Sequence, residues 1–356
     1  MIIQPINLDG GIVPTGTYNI YNNGVYDIAK YSNVDVDVGN TEPLVALSDG
    51  IYSPSEGYVG FDKVTVSIEY NIIYFGREVE DDTLSFMDTF SFTLPSNITD
   101  LGDYALYECF WSLYQNANSV LTSLNLSSLK HASGVYCCAS IAEFSPYLAE
   151  VRLDNLEDVT GYSAFSNAFS GNPYSVASRP IFTSVSLPKL VIISSDYAFN
   201  NAFKYNSALL SFDMGKVEVI SGRAACYRML EGCSSLTSVD VSKVEEITGI
   251  NALAYAFSGC TALTTLSFNS LRVLTGDTAL ERCFSNSGIT SLYFSALTSN
   301  SFGENTSQFN NMLRGCTNVT VHFPSNLQSV IGSWTSVASG FGGTNTTILY
   351  DLSETE

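Results

Sequence analysis

Charged side chains are scarce in this chain, and basic side chains are the scarcest. Only 14% of the 356 residues are charged, and 15 Lys and Arg stand against 35 Asp and Glu, which gives a formal net charge of −20. Proteins that bind nucleic acid or anionic membrane surfaces neutralise phosphate with Lys and Arg. The composition therefore argues against both partners, and the surface must consist largely of Ser, Thr, Asn and Tyr.

Long apolar segments are also missing. No run approaches the roughly 20 residues that a bilayer-spanning helix needs, so we expect no membrane insertion. The first residues, Met1 to Asp9, have no basic segment, no apolar segment and no small-residue cleavage site, so they do not resemble a secretory signal. We expect a protein made in the cytosol that can still reach the outside in a particle released by lysis.

Cysteines occur eight times but never as a Cys-x-x-Cys pair. Cys233 and Cys260 occupy equivalent places in successive repeats, and Cys316 takes the same Gly-Cys position later. Equivalent positions of stacked repeats point inward, so these side chains are predicted to be small buried hydrophobes, not disulfide partners. The adjacent Cys137 and Cys138 have poor geometry for chelating one zinc ion. We expect reduced thiols and no metal or other cofactor.

One six-residue sequence motif recurs along three-quarters of the chain. Its first residue lies at positions 209, 236, 263 and 289, a spacing of 26 or 27 residues, as in Leu236-Thr-Ser-Val-Asp-Val241 and Leu263-Thr-Thr-Leu-Ser-Phe268. A repeat of this length indicates a solenoid, in which each unit buries its apolar face against its neighbours. Such a body offers a long surface and usually no enclosed pocket, so binding or structural roles are expected before catalysis.

Apolar columns define the unit. With the first residue of the motif numbered 0, positions 0, 3 and 5 are apolar. Position 11 is apolar or small, as in Ala132, Val159 and Ile220. Positions 17 and 21 are also apolar, as in Phe165 and Phe169, and their spacing of four predicts one or two helical turns. Each repeat is therefore predicted as a strand, a short second strand or turn, and a short helix. The insertion from Asn172 to Pro180 is predicted to form a surface loop.

Two small β modules precede the repeats. Hairpin-forming Asn-Gly and Asp-Gly pairs are followed by the alternating runs Val34–Val38 and Val64–Ile68, which predict half-buried strands. We assign residues 1–42 and 43–75 to these modules, 76–88 to an acidic linker, and 89–356 to a solenoid of about nine units with capping ends. The fold class is therefore mainly β with short helices, a repeat solenoid behind small all-β modules.

Two family resemblances follow from these residues. The tail of the repeat, Ala256-Phe-Ser-Gly-Cys260 and less closely Asn311-Met-Leu-Arg-Gly-Cys316, resembles BspA-like leucine-rich repeats over residues 89 to 350. The modules of residues 15–70 are similar to small repeats in tail, fibre and other virion proteins of phages that infect gut bacteria. The first resemblance implies the architecture without a ligand, and the second implies a place in a virion.

Catalytic constellations are weak. Neither His131 nor His322 lies near a distinctive nucleophile motif, which argues against a Ser-His-Asp triad. Paired carboxylates could cleave glycans if held about 5 to 9 Å apart. The candidates are Glu80-Asp81-Asp82, Glu245-Glu246, and Asp154 with Glu157. They lie in a linker or on a solvated edge without aromatic sugar platforms, so a glycan depolymerase is the least favoured function.

The outward positions 2 and 4 of the repeat strands form the candidate binding face. Hydroxyls and occasional carboxylates on such a face suit hydrogen bonding to carbohydrate or protein, and they also suit simple solubility. The face comprises Ser123, Asn125, Glu150, Arg152, Ser184, Ser186, Ser211, Asp213, Ser238, Asp240, Thr265, Ser267, Ser291 and Tyr293. Arg152 and Tyr293 stand out because Arg and Tyr are favoured anchors at interfaces.

The preferred hypothesis is a non-enzymatic bacteriophage virion protein, a fibre or receptor-binding component. Its expected partners are other virion proteins, host surface carbohydrate or protein, and further copies of itself as a homo-oligomer. The alternative is a bacterial cell-surface adhesin of the BspA-like class.

Overall fold

A computed structural model of the chain describes residues 121–302, 307–331 and 340–353, together with shorter stretches before them. Those stretches are 90–94, 99–103, 105–107 and six strands within residues 2–76. Strands are numbered along the chain. The first six are β1 (Ile2–Ile3), β2 (Val25–Ala29), β3 (Asp35–Asp37), β4 (Gly50–Tyr52), β5 (Val64–Glu69) and β6 (Ile72–Gly76).

The N-terminal strands lie where the alternating runs predict them. β3 falls within Val34–Val38 and pairs antiparallel with β2, and β5 covers Val64–Ile68 and pairs antiparallel with β4 and β6. β1 pairs antiparallel with β6. The boundaries of the two modules stay predictions, and residues 77–88 of the predicted linker lie outside the described residues.

The repeats form a mainly-β leucine-rich-repeat solenoid of about eight turns with almost no helix. The first parallel series consists of three sheets, in which neighbouring strands pair about one repeat apart, for instance Ser211 with Ser238. The pairing is interrupted between Arg152 and Ser184 and between Asp240 and Thr265. The series is β7 (Phe90–Thr93), β8 (Leu121–Asn125), β10 (Glu150–Arg152), β12 (Ser184–Ser186), β14 (Ser211–Asp213), β16 (Ser238–Asp240), β18 (Thr265–Ser267), β20 (Ser291–Tyr293), β21 (Thr320–Pro324) and β22 (Thr347–Leu352). β7 also pairs with β2, again in parallel.

The predicted second strand is present in six consecutive repeats. These two-residue strands pair in one parallel sheet, and the second residue of each is fully buried, which explains the apolar column at position 11. They are β9 (His131–Ala132), β11 (Asp158–Val159), β13 (Ile192–Ile193), β15 (Val219–Ile220), β17 (Glu246–Ile247) and β19 (Val273–Leu274).

Phenylalanine columns fill the core behind the sheets. The Phe165 ring stacks on the Phe199 ring of the next turn with centroids 5.1 Å apart and planes 6° apart, and all atoms of both side chains are buried. Phe257 and Phe284 repeat this stack at 5.4 Å. Offset aromatic stacking adds about 0.5–1.5 kcal/mol per pair to the hydrophobic gain. A column of identical side chains therefore holds successive turns in register.

The helix predicted at positions 17 to 21 is wrong, because the segment forms a ribbon of consecutive tight turns. The Ala139 amide donates to the Tyr136 carbonyl three residues back at 3.2 Å, whereas the Cys138 amide donates to the Ala164 carbonyl of the next turn at 2.8 Å. Alternate amides thus bond between turns of the solenoid. An α-helix would direct every amide to a carbonyl within its own segment, four residues back.

The ribbon repeats every four residues. Residues with positive φ recur at this interval, as at Asn251 (56°), Tyr255 (58°) and Gly259 (73°). A positive φ at the third residue is what a type II turn requires. The apolar pattern of residues 164–169 and 198–203, Ala-Phe-x-x-Ala-Phe, follows this interval and points both side chains of each pair inward.

Short helices occur outside the ribbon. Among the described residues they are the 3-10 helices Val176–Ser178 and Ser325–Leu327 and the four-residue α-helix Gln328–Ile331. The first lies in the insertion, whose exposure confirms the predicted surface loop, since Tyr174 is 86% exposed. No helix in the described part of the chain is long and apolar enough to cross a membrane.

The last strand of the described residues is β22, which continues the first series by pairing in parallel with β21.

Candidate functional site

The predicted face lies on the solvent side of the first strand series. Every one of its residues is exposed or half-buried, while the residue between the two outward positions of each strand is buried or, at Val239, half-buried. The strand registers pair equivalent positions directly, as in Glu150 with Ser123 and Asp213 with Asp240. The alternation in the sequence therefore identifies the solvent side of these strands, and the binding role of this side stays a prediction.

A charged cluster occupies the N-terminal end of this face. The Arg152 Nε donates to the Glu150 carboxylate at 2.6 Å, and the Ser123 hydroxyl donates to the same carboxylate at 3.2 Å. These hydrogen bonds, that from Arg152 first, hold the pKa of Glu150 below its usual range. Both charged side chains are about half exposed, so the pair contributes little to stability and its atoms stay accessible to a partner.

The middle of the face carries carboxylates that support local turns. Asp213 accepts from the Gly215 amide at 2.7 Å and from the Ser186 hydroxyl at 2.8 Å. Asp240 accepts from the Ser242 amide at 2.9 Å. Because each carboxylate caps the turn after its own strand, these residues have a structural role whether or not they also contact a ligand.

An aromatic pair lies toward the C-terminal end. The Tyr293 and His322 rings stack with centroids 4.3 Å apart and planes 9° apart. His322 Nδ1 lies 2.9 Å from the Asp351 carboxylate, and its side chain is only 14% exposed. His322 therefore points to the outer face, as predicted, but a ring and a carboxylate cover it there.

Two of the carboxylates considered for glycan cleavage are engaged by neighbouring side chains. Asp154 accepts from the Ser127 hydroxyl at 2.8 Å, and Glu245 forms an ion pair with Arg272 on the next turn. Glu80-Asp81-Asp82 lies outside the described residues. No group of three or more His, Cys, Asp or Glu able to hold a metal ion occurs in the described part of the chain.

The predicted burial of the cysteines is confirmed for the seven that the structure describes. Cys233 and Cys260 donate their thiols to the carbonyls of Phe203 and Leu230, each at 3.2 Å. Burial raises the pKa of Cys260 to about 12. These thiols are packing groups with a weak hydrogen bond, and their chemistry offers no nucleophile.

The sequence analysis named no residue on the ribbon of turns, where the structure groups tyrosines with basic side chains. Arg228, Tyr255 and Arg282 occupy one column of the ribbon, and Lys204 and Tyr205 lie at its edge. The signal was available, since residues 228, 255 and 282 are spaced by the repeat length of 27. It was missed because only the outward positions of the strands were considered as a binding surface.

Comparisons with known proteins identify the type of repeat and identify no ligand. Residues 225–334 match the family model described as BspA type leucine rich repeat region, in six copies. No curated protein matches the sequence. A search of solved structures finds a leucine-rich repeat protein from Bacteroides ovatus, with 15% identity, 98% of each chain covered and a TM-score of 0.25. Neither match names a phage or virion protein.

Proposed function

We propose, from the premise that residues 225–334 are a BspA-type leucine-rich repeat region, that this chain is a non-enzymatic adhesin of a bacterial cell surface. Its repeat surface would hold carbohydrate or protein of another cell. The supporting observation is the polar face on the first strand series, whose outward side chains are held in register within each of three parallel sheets. Solenoids commonly recognise their partners through such an extended surface.

The face suits recognition more than catalysis. Its hydroxyls at Ser184, Ser238 and Thr265 are exposed, and its one cation, Arg152, is half exposed beside Glu150. Hydroxyl, amide and carboxylate groups at strand spacing can donate to and accept from a repeating ligand. Since the spacing of paired strands is about 4.8 Å, a linear ligand lying across them would meet equivalent groups at each turn.

A binding experiment tests the ligand-holding role. The purified full-length chain is applied to a glycan array and to an array of immobilised extracellular proteins. Any hit is then measured with the double variant Arg152→Ser and Tyr293→Ser, and with Lys243→Ser as a matched control, because Lys243 is exposed and lies outside the face. We expect at least a tenfold loss for the double variant alone. Unchanged affinity in the double variant would contradict a role for the face.

A localisation experiment separates the adhesin from the virion component of the sequence hypothesis. Antibodies against residues 121–302 are applied to intact bacteria that express the chain, and to phage particles purified from the same culture. Labelling of intact cells with unlabelled particles supports the adhesin. Labelling of particles alone would rule out the cell-surface proposal and would support the hypothesis of a virion protein.

A further inference from the structure

The ribbon of turns carries a row of cations and tyrosines that runs along the solenoid axis. Arg228, Tyr255 and Arg282 take the same place in three successive turns, which lie about 4.8 Å apart. The Arg228 guanidinium carbon is 4.8 Å from the Tyr255 ring centroid, and the Arg282 guanidinium carbon is 5.5 Å from it. Arg282 also donates to the Tyr255 hydroxyl at 2.7 Å. The ring thus holds two guanidinium groups in a defined orientation.

A second tyrosine extends the row toward the insertion loop. The Lys204 Nζ lies 4.8 Å from the Tyr205 ring centroid, and the Arg179 guanidinium carbon lies 5.7 Å from it. The ring packs against Gly232, where an added Cβ would come within 2.5 Å of a ring carbon. Burial raises the pKa of Tyr205 above its usual range. Because Gly232 has no side chain, the Tyr205 ring can pack against its backbone. The ring stays neutral and lies beneath two cations.

The balance of charge in this row favours an anionic partner. Four cations, Arg179, Lys204, Arg228 and Arg282, share two carboxylates. Glu231 lies 3.3 Å from Lys204 and 3.5 Å from Arg228, and Glu281 lies 3.9 Å from Arg282. The row thus has two positive charges in excess, although the whole chain has a net charge of −20.

The outer parts of the two Arg side chains stay accessible. Their Nε atoms are buried and face the Glu231 and Glu281 carboxylates at ion-pair distance, 3.5 Å for Arg228 and 3.9 Å for Arg282. The two Arg side chains keep about a third of their surface exposed, so their outer nitrogen atoms can reach a ligand that comes from solvent.

We propose that this row binds a linear anionic polysaccharide laid along the solenoid axis, on a surface separate from the strand face. Guanidinium groups bind carboxylate or sulfate in a two-pronged geometry, and the tyrosine rings hold these groups in position. One pyranose unit is about as long as the spacing between turns, so every second unit meets Arg228 or Arg282, which lie two turns apart. An extended acidic peptide presents same-side carboxylates about 6.6 Å apart, and these fall out of step with the turns.

The inference rests on the proposed binding function, because it specifies a ligand class for a second surface of the same protein. The purified full-length chain is titrated with oligogalacturonate, heparin, dextran and poly-glutamate. We expect binding to at least one of the first two and none to the neutral dextran. The first two probes separate a preference for carboxylate from a preference for sulfate. Affinity for poly-glutamate equal to that for the glycans would overturn the proposal in favour of an acidic protein partner.

Matched variants distinguish the row from general electrostatics. Arg228→Gln combined with Arg282→Gln is expected to weaken binding at least tenfold, while Arg272→Gln, which removes one charge at the residue before β19, leaves it unchanged. Arg179→Gln also removes one charge, from a side chain that donates to the Asn172 carbonyl at 3.0 Å within the insertion, and is expected to weaken binding about threefold. Equal losses for Arg179→Gln and Arg272→Gln, or no binding to either anionic glycan, would refute this site. The strand-face variants test the proposed function independently.

Discussion

Gly249 stacks directly on Gly222, so closely that a Cβ on Gly249 would lie 2.0 Å from the Gly222 carbonyl oxygen. Both residues follow the second strand of their repeats, where the backbones of neighbouring turns come close together. The structure shows that the absence of a side chain matters more than backbone freedom, because neither residue has a positive φ.

Replacing Gly249 with Ala should destabilise the solenoid by several kcal/mol, because the methyl group meets backbone that cannot move without separating two turns. The matched control is Gly340→Ala, since an added Cβ there meets nothing within 4 Å. Chemical denaturation of both variants measures the difference. A loss below about 1 kcal/mol for Gly249→Ala would mean that the turns are not held this close together.

The ribbon of turns can be tested at Asn311, which has a φ of 51°. Left-handed backbone costs most L-residues about 1–2 kcal/mol and costs Gly almost nothing. We therefore expect Asn311→Gly to be neutral or stabilising and Asn311→Val to lose at least about 1 kcal/mol. Asn310→Val is the neighbouring control. A helix at this segment would reverse the order, since Gly is the poorer helix former, and thermal unfolding of the three variants decides between them.

Buried thiols predict loss of stability in alkali. Burial raises the pKa of Cys226 to about 12, whereas an unfolded thiol ionises near pH 8.5. The folded state therefore retains protons that the unfolded state loses, so stability is constant below about pH 8.5 and falls as the pH rises toward 12. Denaturation between pH 7 and 10.5 should show this slope, and Cys226→Ala should reduce it. An equal slope in the variant would contradict the assignment.

The same burial protects the thiols from reagents. A disulfide-exchange reagent at pH 8 should modify no more than one thiol of the native chain, Cys109 being outside the described residues, and all eight after denaturation. Rapid reaction of three or more native thiols would show that the core opens.

Neighbouring carboxylates on the strand face should repel each other. Asp213 pairs with Asp240 on the next strand, and each caps its own turn. In another repeat, Asn125 caps the equivalent turn by accepting a hydrogen bond from the Ser127 amide at 3.0 Å. Asp240→Asn therefore keeps the turn and removes the repulsion, which should raise stability by a few tenths of a kcal/mol at low salt. The gain should vanish in 1 M salt, where charges are screened. Asp154→Asn serves as a control without a paired carboxylate.

Much of the architecture was predictable from the sequence. A repeat of 26 or 27 residues with fixed apolar columns requires stacked turns, because no single unit can bury its own apolar face. Residues such as Val159 and Ile220 identify the second strand, and alternation within the first strand identifies the outer face. These features depend on which residues are apolar, and that information is local.

Only the tertiary structure determined the conformation of the ribbon between the strands and which side chains lie together on it. Phe165 and Phe169 are spaced alike in a helix and in a four-residue turn ribbon, so the apolar pattern favoured the commoner structure. The ribbon prevails because its alternate amides bond to the neighbouring turn, as Cys138 does to Ala164, and an isolated segment has no such partner. The same stacking aligns Arg228, Tyr255 and Arg282, which lie far apart in the sequence and become one row only when the turns are in register.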